Sequence, residues 1–241
     1  RNTDKIQIAK SYADIQRIQA AGKIAAVIGI EGGNMIEESV DNLEYLYNRG
    51  ARYLTLTWNY NLPWVTAAAV EDSKPENEQQ GLSKHGVEII RKMNQLGMMV
   101  DLSHASKKTF YDVMKVSKKP VLAPHSRNLD DKQLKALKKN KGVVGVNFYS
   151  AFLDSTYNSR LNTLYTAQLG VAPSEKMGST AKYNKLTPEN QAKADAPIER
   201  LLEHIDYLVA KVGIDHVAIG SDYDGIESAP VGLEDVSTFP N

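Results

Sequence analysis

What this sequence does without narrows it first. It has no cysteine, which excludes disulfides, thiolate metal sites and a cysteine nucleophile while leaving the compartment open. It has no run of eighteen apolar residues, so nothing in it reads as a membrane-spanning segment. It has no excess charge either. With 29 basic residues against 29 acidic ones, an extended surface for nucleic acid or anionic membrane is not indicated. Gly29-Ile-Glu-Gly-Gly33 lacks the glycine spacing that cradles a pyrophosphate, and neither a P-loop nor a Gly-x-Ser-x-Gly elbow occurs. Any metal must therefore be held by His, Asp and Glu. The chain opens at Arg1 without a signal-like apolar segment and stops at Asn241 directly after Pro240, so both ends read as cut.

What is present is a repeated alternation of strand and helix patterns. Residues 12–22 place Ile15, Ile18 and Ala21 on one helix face and stop at Gly22. The apolar run Ala25–Ile30 reads as a buried strand and ends in Glu31-Gly32-Gly33. Residues 37–49 read as a helix stopped by Gly50, and Arg52–Thr57 as a strand ending in Trp58-Asn59. A long polar loop follows over 59–80. Ser83 is a suitable cap for a helix that buries Val87, Ile90 and Met93 and ends at Gly97. Met98–Leu102 then leads into His104, and Ser106 caps a helix carrying Phe110, Val113 and Met114. Val121–Pro124 leads into His125. Asp130 or Asp131 opens a lysine-rich helix to Asn140, and Gly142–Val146 ends in Asn147-Phe148-Tyr149. Residues 150–196 break the rhythm as a polar excursion rather than a separate domain. A helix over Pro197–Val212 and a strand over Val217–Gly220 follow, the strand running into Ser221-Asp222-Tyr223-Asp224-Gly225.

Six strands separated by helices or long loops argue for an α/β fold with a parallel sheet. Mostly apolar strands fit burial on both faces. An open doubly wound sheet and a (β/α)8 barrel share this pattern, and six units are two short of a closed barrel. In either architecture the residues following the strands converge on one crevice. Here they are Glu31, Trp58-Asn59, His104, His125-Ser126-Arg127, Asn147 with Tyr149, and Asp222. One carboxylate and two imidazoles can hold zinc or a similar ion through O and N ligands. Asp224 competes with Asp222, but an aspartate pair offers too few oxygens for calcium. His85, His204 and His216 read as structural or solvated, and Lys138, Lys139 and Lys141 as a solvated helix end. Trp58 and Trp64 fit either core packing or a pocket wall.

The motifs Ile-Gly-Ile-Glu-Gly-Gly, Tyr-Leu-Thr-Leu-Thr, Asn-x-Pro-Trp, Val-Asp-Leu-Ser-His, His-Ser-Arg-Asn, Val-Asn-Phe-Tyr, Gly-Ser-Asp-Tyr-Asp-Gly and Gly-Leu-Glu-Asp-Val-Ser occur in this order. Over nearly the whole chain they resemble the membrane (renal-type) dipeptidases, binuclear zinc enzymes of the amidohydrolase superfamily. The resemblance implies a TIM-like (β/α)8 barrel of metallo-dependent hydrolase type, here a single partial domain over 1–241 whose visible strands are the third to eighth. It implies Glu31 as the carboxylate bridging two zinc ions, His104 and His125 as ligands of one of them, and Asp222 as the catalytic acid/base. A hydroxide between the ions would attack the peptide bond of a dipeptide. Arg127 and Asn128 match the segment that meets the substrate's carboxylate end, and Tyr149 a tyrosine lining the pocket.

Two departures stand out. The family's His-x-Asp on its first strand is missing, since no histidine precedes His85. Trp58 stands where well-known members carry a substrate-contacting histidine, which leaves open a related hydrolase acting on lactones, other amides or D-dipeptides. A barrel that binds peptides without hydrolysis is the other alternative. Proteins of this kind are often dimeric, and many are exported or membrane-anchored, but no residue here fixes either property.

Overall fold

Serine hydroxyls start four helices in the first part of the chain, as seen in the computed structural model, which describes residues 2–71, 80–124 and 129–239. Each of Ser11, Ser39, Ser83 and Ser106 accepts a hydrogen bond from the backbone N–H three residues on, which satisfies an otherwise orphaned donor. The helices they open are α1 (Tyr12–Ala20), α2 (Val40–Arg49), α4 (Lys84–Leu96) and α5 (Lys107–Val116), with a single turn, α3 (Ala68–Glu71), between the second and third. Gly50 (φ 121°) and Gly97 (φ 77°) end α2 and α4 in backbone conformations that a side chain would strain.

The chain divides into two compact units, Arg1–Ala123 with Ala136–Val143, and Pro124–Lys135 with Val144–Asn241. In the first, β1 (Ile6–Ile8) pairs in parallel with β2 (Ile24–Ala26) as a small separate sheet. The main parallel run is β3 (Ile28–Glu31), β4 (Ala51–Thr55), β5 (Met99–Asp101) and β6 (Val121–Pro124) in sequence order. Its register sets Glu31 opposite Thr55 and Thr55 opposite Asp101, so three polar residues form one row across three strands. Leu54, Val100 and Val121 in this run are buried, as are Leu43, Ile89, Ile90, Met93, Phe110 and Val113 on the helices. Trp64, 1% exposed, belongs to this core, which decides between its two readings.

Two expectations here need correction, and a third holds. The run 25–30 is not one buried strand. It is broken at Val27 into β2 and β3, and Ile24, Val27 and Ile28 are all exposed. Among the described residues β3 pairs only with β4, so its apolar side chains lack a neighbour on the other side. The second helix starts at Val40 rather than 37, because Glu37 and Glu38 take positive φ (48° and 57°) after a 3-10 turn at Gly33–Ile36. His85 is structural, as expected. Its Nε2 meets the Glu38 carbonyl at 2.6 Å, and that contact, with Glu88 beside Nδ1, raises its pKa above the ordinary histidine value although burial opposes the shift.

In the second unit the 150–196 excursion is helical: α7 (Ser150–Leu153), α8 (Tyr157–Leu169), α9 (Ser179–Tyr183) and α10 (Pro188–Ala194). Tyr157, Leu161, Tyr165, Leu186 and Ala194 give it a cluster of its own. The polar surface residues around these few inward positions hide the helices from a periodicity reading. Helix α11 (Ile198–Val212) follows, and β7 (Val143–Val146) pairs in parallel with β8 (Val217–Ile219). Helix α6 (Asp131–Asn140) opens on Asp130, whose carboxylate accepts from Gln133 N–H while the Gln133 side chain accepts from Asp130 N–H, a reciprocal cap. Among the described residues no helix is long and apolar enough to cross a membrane.

Candidate metal and substrate site

The first unit brings Glu31 and His104 together at the carboxyl ends of their strands. Glu31 is the last residue of β3, and His104 follows β5 after a turn. His104 Nε2 and Glu31 Oε1 are 3.4 Å apart. The other ring nitrogen, Nδ1, faces Asn59 Oδ1 at 3.1 Å, and because that oxygen can only accept, Nδ1 carries the proton. Nε2 faces the carboxylate: it donates to Glu31 when the ring is protonated, and in the neutral ring it presents a lone pair there. Two acceptors facing each other fit a shared cation, and two atoms each about 2.1 Å from a tetrahedral ion are themselves about 3.4 Å apart. The donor set therefore fits a metal. Among the described residues no group of three such side chains forms; His125, the expected further ligand, lies outside the described residues.

The local fold explains this placement. Gly32 takes φ 102°, and a Cβ on Gly33 would sit 2.4 Å from the Trp64 ring and 2.5 Å from the Leu56 carbonyl oxygen, so Glu31-Gly-Gly is the chemistry of a strand end pressed onto its neighbours. The His104 turn is tied down by its carbonyl, which accepts from Ala68 N–H at 2.7 Å. Beneath it, buried Asp101 accepts from Ser103 N–H (2.9 Å), the Ser103 hydroxyl (2.7 Å) and the Thr55 hydroxyl (2.5 Å). Burial drives the Asp101 pKa up against those bonds. The Trp58 ring stands 6.2 Å from the His104 ring, tilted 46°, and is 45% exposed. It stands beside the imidazole and outside the core.

The second unit carries the other expected groups. Asp222 Oδ2 accepts from Asn147 Nδ2 at 2.9 Å. Tyr149 donates its hydroxyl to Glu227 at 2.6 Å, lies 2.8 Å from the Ser179 hydroxyl, and packs edge-on against Phe152 and Tyr157. Burial, followed by the Glu227 carboxylate, raises the Tyr149 pKa well above the ordinary phenol value, so the group is a neutral donor across the working pH range. Arg127 and Asn128 lie outside the described residues.

His104 (φ 61°) and Asp222 (φ 66°) are two of the few non-glycine residues in the left-handed region, where strained backbone concentrates at functional positions. Thr55, Asp101 and Glu227, which hold these groups, were not singled out by the sequence, and Asn59 was placed at a strand end without a role. The Asp three places before the histidine in Asp-x-Ser-His was the available signal for Asp101; nothing local marks Glu227.

Parallel strands ending in a carboxylate and an imidazole at ligand spacing make this an α/β protein with a metal-type donor pair. The profile of the membrane dipeptidase family, peptidase family M19, matches residues 1–241, and the chain belongs to that family. It is 38% identical over 230 residues to a Schizosaccharomyces pombe protein described as an uncharacterised dipeptidase, covering 91% of this chain and 46% of that one. The chain thus spans about half the length of that relative. Among solved structures it is similar to a Rhodobacter sphaeroides metallopeptidase bound to a phosphinate mimic of the dipeptide L-Ala-D-Ala (TM-score 0.74, 25% identity, 98% of this chain and 60% of that one). It is likewise similar to a probable dipeptidase from Pseudomonas aeruginosa (TM-score 0.75, 25% identity, 97% and 66%). The α/β fold is therefore that of part of these dipeptidase structures.

Proposed function

We propose that the protein containing this chain is a zinc-dependent dipeptidase with two ions in its complete site. The observation that carries this is the Glu31–His104 pair, 3.4 Å apart with Nδ1 held by Asn59, in a chain of this family. Glu31, His104 and His125 would hold metal. Bound zinc supplies Lewis-acid polarisation of the scissile carbonyl and a water of lowered pKa.

The chain's own residues would do the rest. Asp222 takes a proton from the attacking water and returns it to the leaving amine. Arg127, with Asn128, pairs with the substrate's C-terminal carboxylate, a planar fork suited to a two-oxygen partner. Tyr149, neutral and donating, lines the pocket, and Trp58 shapes the approach beside His104. The phosphinate dipeptide mimic held by the Rhodobacter relative supports a dipeptide substrate, including one with a D-residue.

The test is a panel of L,L- and L,D-dipeptides with the metal-loaded full-length protein. Hydrolysis of dipeptides but not of longer peptides is expected. Asp222→Asn should lower kcat by at least a thousandfold with metal content unchanged, and loss of metal along with activity would overturn its assignment as the acid/base. The exposed Trp58 at the imidazole favours one second reading, a related hydrolase of lactones or other amides. Including one lactone and one N-acyl amino acid in the panel separates the two.

A further inference from the structure

The Asp222 carboxylate is not left to find its own orientation. We infer that Asn147 is a positioning residue that fixes which oxygen of Asp222 is available to accept a proton; the inference rests on the reading of Asp222 as the acid/base. Asn147 follows the last residue of β7 and is 5% exposed. Its Oδ1 accepts from the Tyr149 backbone N–H at 2.7 Å. A backbone N–H only donates, so the amide cannot flip without setting two donors face to face. Nδ2 must then point the other way, and there it donates to Asp222 Oδ2 at 2.9 Å.

The rest of the turn completes the arrangement. Phe148 N–H donates to the Ser221 carbonyl at 3.3 Å, and the Phe148 ring meets Tyr223 edge-on at 5.7 Å, so the two segments hold each other on both sides of the amide. Asp222 itself sits at φ 66°, with its carbonyl accepting from Gly225 N–H at 2.8 Å. A Cβ on Gly225 would lie 2.5 Å from Asp222 Oδ1. The absence of a side chain at 225 is what leaves that oxygen uncovered. One carboxylate oxygen is thus occupied by the amide donor, and the other is the one that can take a proton from water and pass it to the amine. Asp224, the charged neighbour in the same turn, is exposed. A carboxylate held in one orientation is ready for proton transfer without first rotating, the usual gain from a rigid supporting shell.

The experiment uses metal-loaded full-length protein and a dipeptide substrate. Asn147→Ala should lower kcat tenfold or more with KM changed less than threefold, and with metal content and melting temperature near those of the parent. Asn147→Asp keeps the acceptor for Tyr149 N–H but replaces the donor with a second carboxylate. It should shift the acid limb of the kcat/KM–pH profile upward by half a unit or more, because adjacent carboxylates resist ionising together. Any carboxylate at 147 in contact with Asp222 moves that limb, so Asn147→Asp tests the contact and the kcat of Asn147→Ala tests the positioning. A parental kcat in Asn147→Ala, or a parental profile in Asn147→Asp, overturns the inference. Should Asn147→Ala fail to fold, Asn147→Ser takes its place, with the same loss of kcat expected and a parental kcat overturning the inference. Parental turnover in Asp222→Asn would instead overturn the underlying reading of Asp222.

Discussion

Gly33 shows how little room there is around the carboxylate at the end of β3. The space its missing Cβ would need is filled by the buried Trp64 indole and by the Leu56 carbonyl oxygen, at 2.4 and 2.5 Å. Neither can retreat cheaply, since one is a core ring and the other is backbone that accepts from Gly33 N–H at 3.2 Å. Gly33→Ala should therefore destabilise the protein by ~1–3 kcal/mol, the usual range for overpacking, measured by urea unfolding of parent and variant. Gly29→Ala is a fair control, because there the obstruction is the Tyr53 ring, a side chain that can swing aside. At this scale the sequence was most readable where a residue type has one chemical use. Glu31 and His104 were recognisable as strand-end donors, whereas Asn59 and Asn147 were placed at strand ends without a role. An asparagine's orienting role depends on which group stands opposite it, and that is fixed only by the fold.

At the scale of elements, the start of α8 carries the clearest pH dependence. Asp154 is flanked by Thr156, whose N–H and hydroxyl both donate to it at 2.9 and 2.7 Å, and by Arg160 at 2.8 Å. Arg160 in turn donates to the Ala194 and Asp195 carbonyls, which ties α8 to the end of α10. Burial alone would push the Asp154 pKa up, but the Thr156 and Arg160 bonds outweigh it and hold it at about 2. Since this lies below the unfolded value, the contribution to stability is present above about pH 4 and disappears as pH falls through about 2. Its size is on the order of 2 kcal/mol. Asp154→Asn should melt below the parent at pH 6, with the gap closed near pH 2, and a gap that persists at pH 2 would contradict this origin. The helix caps at Ser83 and Ser106 were legible, since a hydroxyl before an apolar periodicity has a local cause. The break at Val27 was not, because it reflects which neighbour β3 lacks rather than anything in the run itself.

For the whole molecule, the alternation of strands and helices made the parallel α/β organisation readable, since burial between helices demands apolar strands wherever they fall. The helical nature of 150–196 was not readable, because its cluster is small and built mainly from tyrosine and leucine inside a polar segment. The proposed metal also has a thermodynamic signature at this scale. An ion that binds the folded protein and not the unfolded chain adds about 2.7 kcal/mol of stability at a hundredfold excess over its Kd. Stripping zinc from the full-length protein with a chelator should lower its melting temperature, and adding zinc back should restore it. Glu31→Gln and His104→Asn should each shrink that difference. An unchanged melting curve after verified removal of metal would argue against the Glu31–His104 pair as its seat.

The row Glu31–Thr55–Asp101 has a consequence for how this scaffold tolerates change. Neighbouring strands lie about 4.8 Å apart, so the sheet acts as a ruler that fixes the donors by strand count and register, whatever joins the strands. Lengthening a connection at an exposed point, away from residues such as Asn59, Trp64 and Ala68 that pack on or bond to the site, leaves the marks on that ruler where they are. Deleting one residue inside β3 turns every following side chain of that strand to the opposite face, Glu31 included. Grafted loops are thus the cheap variable in this chain, and strand length is the one that cannot vary.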